Sequence, residues 1–234
     1  MINDLAPLEK KIKIKFKNKK LLHQALTHRS YLNEHFHEET GHNERLEFLG
    51  DAVLELVVTD YLYKEYQETE GILTAWRASL VNTVMLAKIA EELSLDKYLY
   101  LSEGERLSSE RTKLTILADT LEALIGSIYL DQGLEKTKKF IKEKIIKKLP
   151  RVLKLRLYED PKSKLQEILQ ANHKMTPSYK VLKEEGPDHA KRFTLGVYLG
   201  EKKLATGEGP NKQEASTQAA AEALKGFVKK LKPR

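Results

Sequence analysis

The stretch NERLEFLGDAVLELVV, from Asn43 to Val58, is apolar enough to be buried on most of its surface, yet it carries Glu44, Glu47 and Asp51. Steps of three and four residues put these acids on one stripe of a helix with 3.6 residues per turn. Like charges so placed repel, by roughly 0.2–0.5 kcal/mol per pair in water, and by more where Leu46, Phe48 and Leu54 exclude solvent. A second stretch, TILADTLEALIGSIYLD from Thr115 to Asp131, repeats the arrangement, with Asp119 and Glu122 on one face of a helix made otherwise of Ile, Leu and Ala. If the two helices pack face to face, Glu47, Asp51, Asp119 and Glu122 converge on a small volume. Hard divalent cations with oxygen ligands are the usual means of neutralising such a cluster. Gly50 and Gly126 lie in mid-helix at a propensity cost of about 1 kcal/mol each, which fits a close helix approach. The alternative is that each acid faces solvent on an amphipathic helix, and spacing alone does not choose between the two.

The elements that must position these acids are helical. From Leu21 to about Leu149 apolar residues recur at helical spacing with no convincing alternation of period two. The pattern predicts helices over Glu44 to Tyr66, Thr74 to Leu93, Ile116 to Leu130 and, basic and amphipathic, Leu134 to Leu149, with a stop at Asp131, Gln132 and Gly133. Beyond Pro150 the polar run around Arg156 to Lys162 reads as a linker. A helix (Ser163 to Asn172), three strands (Ser178 to Glu184, Arg192 to Leu199, Lys202 to Gly209) and an Ala-rich helix (Lys212 to Leu231) follow. This α-β-β-β-α order implies a small antiparallel sheet with both helices on one face. The expectation is therefore two domains: residues 1–150 all-α, a linker over 151–160, and an α+β domain over 161–234.

Composition narrows the function. Among 234 residues, 41% are hydrophobic and 32% charged, a globular balance, and the net charge of +7 favours a polyanionic partner. From Glu159 onward there are 15 basic and 10 acidic residues, so the C-terminal part carries +5 of that charge. The absence of cysteine excludes disulfide scaffolds, thiolate zinc sites and cysteine nucleophiles. With no signal-like N-terminus and no apolar run of membrane-spanning length, the reading is a cytoplasmic protein without a membrane partner.

The run NERLEFLGDAVLEL resembles the signature of the ribonuclease III family. ILADTLEALIGSIYLD resembles the family's second acidic motif, and ALTHRSY (Ala25 to Tyr31) and EGILTAWRASLV (Glu70 to Val81) resemble its other blocks, in the same order. The resemblance implies an endoribonuclease that cuts both strands of double-stranded RNA as a homodimer. It implies Mg²⁺, with Mn²⁺ able to substitute, held by Glu47, Asp119 and Glu122. Asp51 and Glu122 would be the catalytic acids, and Glu44 and Glu70 accessory acids near the site. Products would be 5′-phosphate and 3′-hydroxyl ends with short 3′ overhangs, from ribosomal RNA precursors and structured messages. Phe48 matches a position used at the subunit contact, against the alternative of an ordinary core Phe.

The C-terminal part resembles a double-stranded RNA-binding domain through SKLQEILQ, GPDHAKRF and GEGPNKQEASTQAAAEAL. By that match Gln166, Glu167 and Gln170 meet one minor groove, His189 the next, and Lys212 a phosphate, aided by the helix N-terminus. Where the family often has consecutive lysines after a Ser, this chain has Asn211, Lys212 and Gln213, so Lys191 or Lys225 would have to supplement the clamp. Two rival readings stand beside this one. Glu34 and His37 form a Glu-x-x-His pair, of which a di-iron protein needs two on facing helices. A non-catalytic RNA-binding protein on the nuclease scaffold should lack at least one of the four carboxylates, and all four are present.

Overall fold

The computed structural model describes residues 4–35, 40–187 and 191–230, without side chains at 227–230. The chain divides after Tyr158 into two compact units. The first, among the described residues, is helical: α1 (Ala6–Ile12), α2 (Lys19–Ala25), α3 (Arg29–Leu32), α4 (Glu44–Glu65), α5 (Glu70–Val81), α6 (Thr83–Glu92), α7 (Glu103–Arg106), α8 (Glu110–Gln132), α9 (Leu134–Lys144) and α10 (Leu149–Lys154).

The long helix α8 is the axis of this unit. Ser109 caps it by accepting the Thr112 N–H, and Gly133 at φ 79° ends it. Between them Ile116, Leu121, Leu124, Ile125 and Ile128 are buried, the stretch being interrupted by the half-buried Asp119 and Glu122. Two hydroxyls enter this apolar environment at no unpaired cost, because Thr120 donates to the Ile116 carbonyl (2.6 Å) and Ser127 to that of Leu124 (2.7 Å). Helix α4 lies against α8 with backbone directly on backbone. A Cβ on Gly50 would overlap the Glu122 carbonyl, and one on Gly126 would overlap that of Leu46. The two mid-helix glycines are therefore the condition for the α4–α8 contact.

Two helices expected from apolar periodicity are interrupted. The single helix expected over Thr74 to Leu93 is α5 and α6, broken at Asn82, whose ψ of 156° is extended. The Asn82 side chain serves both ends. Its Oδ1 accepts the Met85 N–H (2.9 Å) and its Nδ2 donates to the Ala78 (3.1 Å) and Ser79 (3.3 Å) carbonyls. A short amide replaces the backbone bonds lost at the break, a compensation that hydrophobic periodicity does not register. The basic helix expected to reach Leu149 ends at Lys144. After a 3₁₀ turn (Ile146–Lys148), Pro150 occupies the first turn of α10, where a missing N–H costs nothing, and Val152 is fully buried.

The second unit contains α11 (Pro161–His173), β1 (Ser178–Glu185), β2 (Arg192–Leu199), β3 (Lys202–Gly209) and α12 (Lys212–Lys230). The strands form one antiparallel sheet in the order β1-β2-β3, with Tyr179 opposite Val197 and Leu195 opposite Gly207. Leu165 and Leu169 of α11 and Ala219, Ala220 and Ala223 of α12 close the core over Val197. Small residues set the spacing here too: a Cβ on Gly207 would meet the Ala215 carbonyl oxygen at 2.5 Å.

Candidate active site

Glu47 stands in the first turn of α4, and Asp119 and Glu122 lie one turn apart in the middle of α8. One carboxylate oxygen from each falls within 4.8 Å of the others, and all three residues are half-buried. The same contact that needs Gly50 and Gly126 thus brings together acids some 70 residues apart in sequence.

Desolvation and mutual repulsion raise the proton affinity of the whole cluster. Burial lifts Glu122 to about 8, helped by the charges of Asp51, Asp119, Glu47 and Glu55. Burial, then Asp119, Glu44 and Asp51, raise Glu47. Burial also raises Asp119, and there a charge on His28 acts in the opposite direction. Three carboxyls that hold protons above their ordinary range are acids short of a counter-charge.

The remaining acids are distributed around this triad. Asp51, one turn beyond Glu47, is exposed, and its charge acts on both Glu47 and Glu122. Glu44 is exposed, 3.7 Å from both Arg29 and His42, and acts on Glu47. Glu70 opens α5 and lines a cavity of about 580 Å³ with Thr59, Tyr63, Tyr66 and Arg77, a lining that includes none of the triad. Two residues of this neighbourhood escaped the reading of the sequence. Glu55, which pairs with Arg77 (2.9 Å), continues the acidic stripe one turn past Asp51 and was legible by the same spacing. His28 lies inside ALTHRSY. Its Nδ1 accepts the Ser30 N–H (3.2 Å), a local bond that only coordinates reveal. Glu34 is described, but its expected partner His37 lies outside the described residues.

In the second unit Gln166, Glu167 and Gln170 are exposed on α11, off the stripe of the buried Leu165 and Leu169. Lys212 is the exposed first residue of α12, its ammonium 5.5 Å from the Phe193 ring centroid. Asn211, where a basic clamp would begin with Ser, is a working cap: its Oδ1 accepts the Glu214 N–H (2.8 Å) and its Nδ2 donates to the Glu214 carboxylate (2.7 Å). The two lysines that would supplement the clamp have acidic partners, Lys191 with Glu184 (3.4 Å) and Lys225 with Glu222 (2.6 Å). His189 lies outside the described residues.

Residues 18–149 match the ribonuclease-III-like family and residues 161–226 the double-stranded RNA binding motif. The chain is 43% identical over 225 residues to Ribonuclease 3 of a Nitratiruptor species, covering 96% of this chain and 97% of that one. It is 47% identical over 213 residues to Ribonuclease 3 of Syntrophomonas wolfei, covering 89% of each. Among solved structures, the nuclease domain of ribonuclease III from Campylobacter jejuni is 42% identical, with a TM-score of 0.57, over 63% of this chain and 99% of that one. With a nuclease family match over the helical unit, an RNA-binding motif match over the α-β-β-β-α unit and nearly full-length relatives at 43% and 47% identity, the chain belongs to the ribonuclease III family of double-stranded RNA endoribonucleases.

Proposed function

We propose that Glu47, Asp119 and Glu122 hold a divalent cation, Mg²⁺ with Mn²⁺ as a substitute, beside the scissile phosphate of duplex RNA. The observation that carries this reading is the convergence of three half-buried carboxylates with raised proton affinity. The donor set is all oxygen, which suits hard cations and disfavours soft ones. A bound cation supplies charge stabilisation on the phosphate oxygens and an activated water. The chain's own residues hold the rest of the geometry. Glu47 and the α8 pair form opposite walls, while Asp51, exposed at the rim, accepts a hydrogen bond from water and orients it. Glu122, the most deeply desolvated of the three, keeps or yields its proton according to whether the cluster is neutralised. The products of this hydrolysis are 5′-phosphate and 3′-hydroxyl ends with short 3′ overhangs, and the substrate class is ribosomal RNA precursors and structured messages.

Cutting both strands requires two such centres, and a homodimer supplies them. Its face is the outer side of α4, where Phe48 (81% exposed), Leu56 (60%) and Tyr63 (74%) fall on one stripe. Such exposure is incompatible with an ordinary core Phe. In an isologous contact this stripe packs against its own copy, and the cavity lined by Tyr63 and Glu70 lies on the same face and can receive Phe48. The Campylobacter jejuni nuclease domain is described as having a region involved in dimer formation.

Contact with RNA falls to the second unit: Gln166, Glu167 and Gln170 at one minor groove, His189 at the next and Lys212 at phosphate. The test of the whole reading is Glu122→Gln. Duplex RNA binding in Ca²⁺ is expected to be retained, while Mg²⁺-dependent cleavage falls by about 10³-fold or more, as when one group stabilising transition-state charge is removed. Turnover at the parental rate would take Glu122 out of the site.

A further inference from the structure

One lysine-lined groove of the helical unit plays no part in the site described above. Lys13 and Lys15, from the segment after α1, and Lys136 and Lys139, from α9, line one groove of about 260 Å³ in which Glu143 is the only acid among the described residues. The fold assembles this groove from segments some 120 residues apart and then fixes its walls. Gln132 donates through Nε2 to the Lys15 carbonyl (3.1 Å). The Asp131 carboxylate accepts the N–H groups of Lys17 (2.9 Å) and Asn18 (2.7 Å). Ile12 and Phe16 are buried on either side of Lys13 and Lys15, so the lysines point outward by alternation.

Nearby acids that would neutralise such a patch are engaged elsewhere. Glu9 accepts the Phe16 N–H and pairs with Lys19, Asp131 holds the backbone, and Glu135 pairs with Lys138. Among the described residues Lys13, Lys15 and Lys139 have no carboxylate partner. Lys13 adds a conformational argument: at φ 60° it closes α1 in the left-handed region where Gly is the usual residue, so a lysine stands there against the backbone preference.

We propose that this groove is a second phosphate-backbone contact for duplex RNA, outside the carboxylate centre and the RNA-binding unit. The inference rests on the nuclease reading above. Gln132, at the groove, is ten residues beyond Glu122 on the same helix, about 15 Å along its axis. That is well within the length of a duplex long enough to occupy an RNA-binding motif, roughly 16 bp. The aromatic residue of its lining, Phe140, is buried and offers no platform for a base, so a groove of lysines suits phosphates, which carry no sequence information, and adds affinity for length without adding a base preference.

The experiment compares the full-length chain with Lys13→Gln/Lys15→Gln/Lys139→Gln and with a control of equal charge, Lys88→Gln/Lys97→Gln/Lys113→Gln. Binding of a long duplex, and of a short one that just covers one cut on each strand, is measured in Ca²⁺ across a salt series. The groove variant is expected to bind the long duplex about tenfold more weakly at low salt, its log–log salt slope shallower by roughly 2 to 3, with the short duplex unchanged. The control is expected to move neither. Equal slopes for the groove variant and the parent, or equal losses in groove variant and control, would overturn the proposal. So would loss of binding to phosphatidylserine vesicles with the RNA slope unchanged, which would assign the groove to a lipid surface. Parental cleavage of the long duplex in Mg²⁺ is measured in parallel. Its absence would defeat the nuclease reading itself, whereas an active enzyme with an unchanged slope defeats only this inference.

Discussion

The two units of the chain make their functional groups in opposite ways. In the helical unit the carboxylates are half-buried, raised in proton affinity and held by backbone contact at Gly50 and Gly126. In the second unit Gln166, Glu167, Gln170 and Lys212 stand in solvent on a core of Leu165, Leu169, Val197 and three alanines that needs none of them. Chemistry at phosphate requires charge held in a poorly solvated place, and the fold bears that electrostatic cost. Contact with a duplex requires only a correctly spaced exterior. Coupling between site and stability should therefore be strong in the first unit and weak in the second.

The sharpest way to break that contrast is at the glycines. Gly50→Ala forces a methyl group into the Glu122 carbonyl, backbone against backbone, and is expected to destabilise the helical unit by about 3 kcal/mol or more while abolishing cleavage. Gly207→Ala makes the equivalent intrusion of β3 on α12, and should unfold the second unit alone. Thermal melts with cleavage at low salt read both: Gly207→Ala should keep low-salt cleavage, and its loss would show that the two units are not energetically separate.

A chain ending at Tyr158 takes the comparison further. It should sediment as a dimer, as a monomer once Phe48→Glu is added, and should cleave duplex RNA at low salt but poorly at physiological salt. Without the second unit fewer phosphate contacts resist counterions. Unimpaired cleavage at physiological salt would make the second unit dispensable.

How far each unit was legible follows from the same contrast. Acids on apolar helices are expensive, so Glu47, Asp51, Asp119 and Glu122 drew attention by type and spacing, and Gly50 and Gly126 announced the contact between them. The cost of Asn82 is invisible in a hydrophobic pattern, because the amide repairs the break it marks; the interruption at Lys144 is equally hidden, since Pro150 reads as an end although it begins a turn. Glu55 was overlooked although it continues the acidic stripe. The residues proposed to meet RNA bear no energetic signature in the sequence, and only resemblance to a family singled them out. Strands were a different matter: β2 and β3 match their expected bounds because short strand-like runs between turns admit few other readings.

The electrostatic cost also makes a pH signature. With Glu122 raised to about 8 from 4.5 and Glu47 and Asp119 raised too, the folded metal-free protein holds protons that the unfolded chain has released. Their contribution to stability is fully present below about pH 4.5 and is lost as pH rises towards 8. The lowered carboxyls, Asp60, Asp131 and Asp160, act with the opposite sign but below their ordinary range near 3.8, outside this window. Melting in EDTA should therefore decline from pH 5 to 8. Mg²⁺ should raise the melting temperature more at the alkaline end, where it has fewer protons to displace. A Mg²⁺ shift that is flat across this range would mean that the triad is not where the ion binds.

The smallest effect is expected at Lys212, and it tests the other half of the contrast. The side chain is exposed, rests on the Phe193 ring, and has no acidic partner among the described residues. Asn211 caps α12 independently of it. Lys212→Gln should therefore leave the melting temperature unchanged and kcat intact, raise KM for duplex RNA a few-fold, and make the log–log salt slope shallower by about one contact. Because Gln213 stands where a second lysine would share the phosphate, no neighbour on the helix can take over the contact. A change in kcat would place Lys212 nearer the chemistry than its position at the head of α12 allows, while a drop in stability would mean that its stacking on Phe193 belongs to the core.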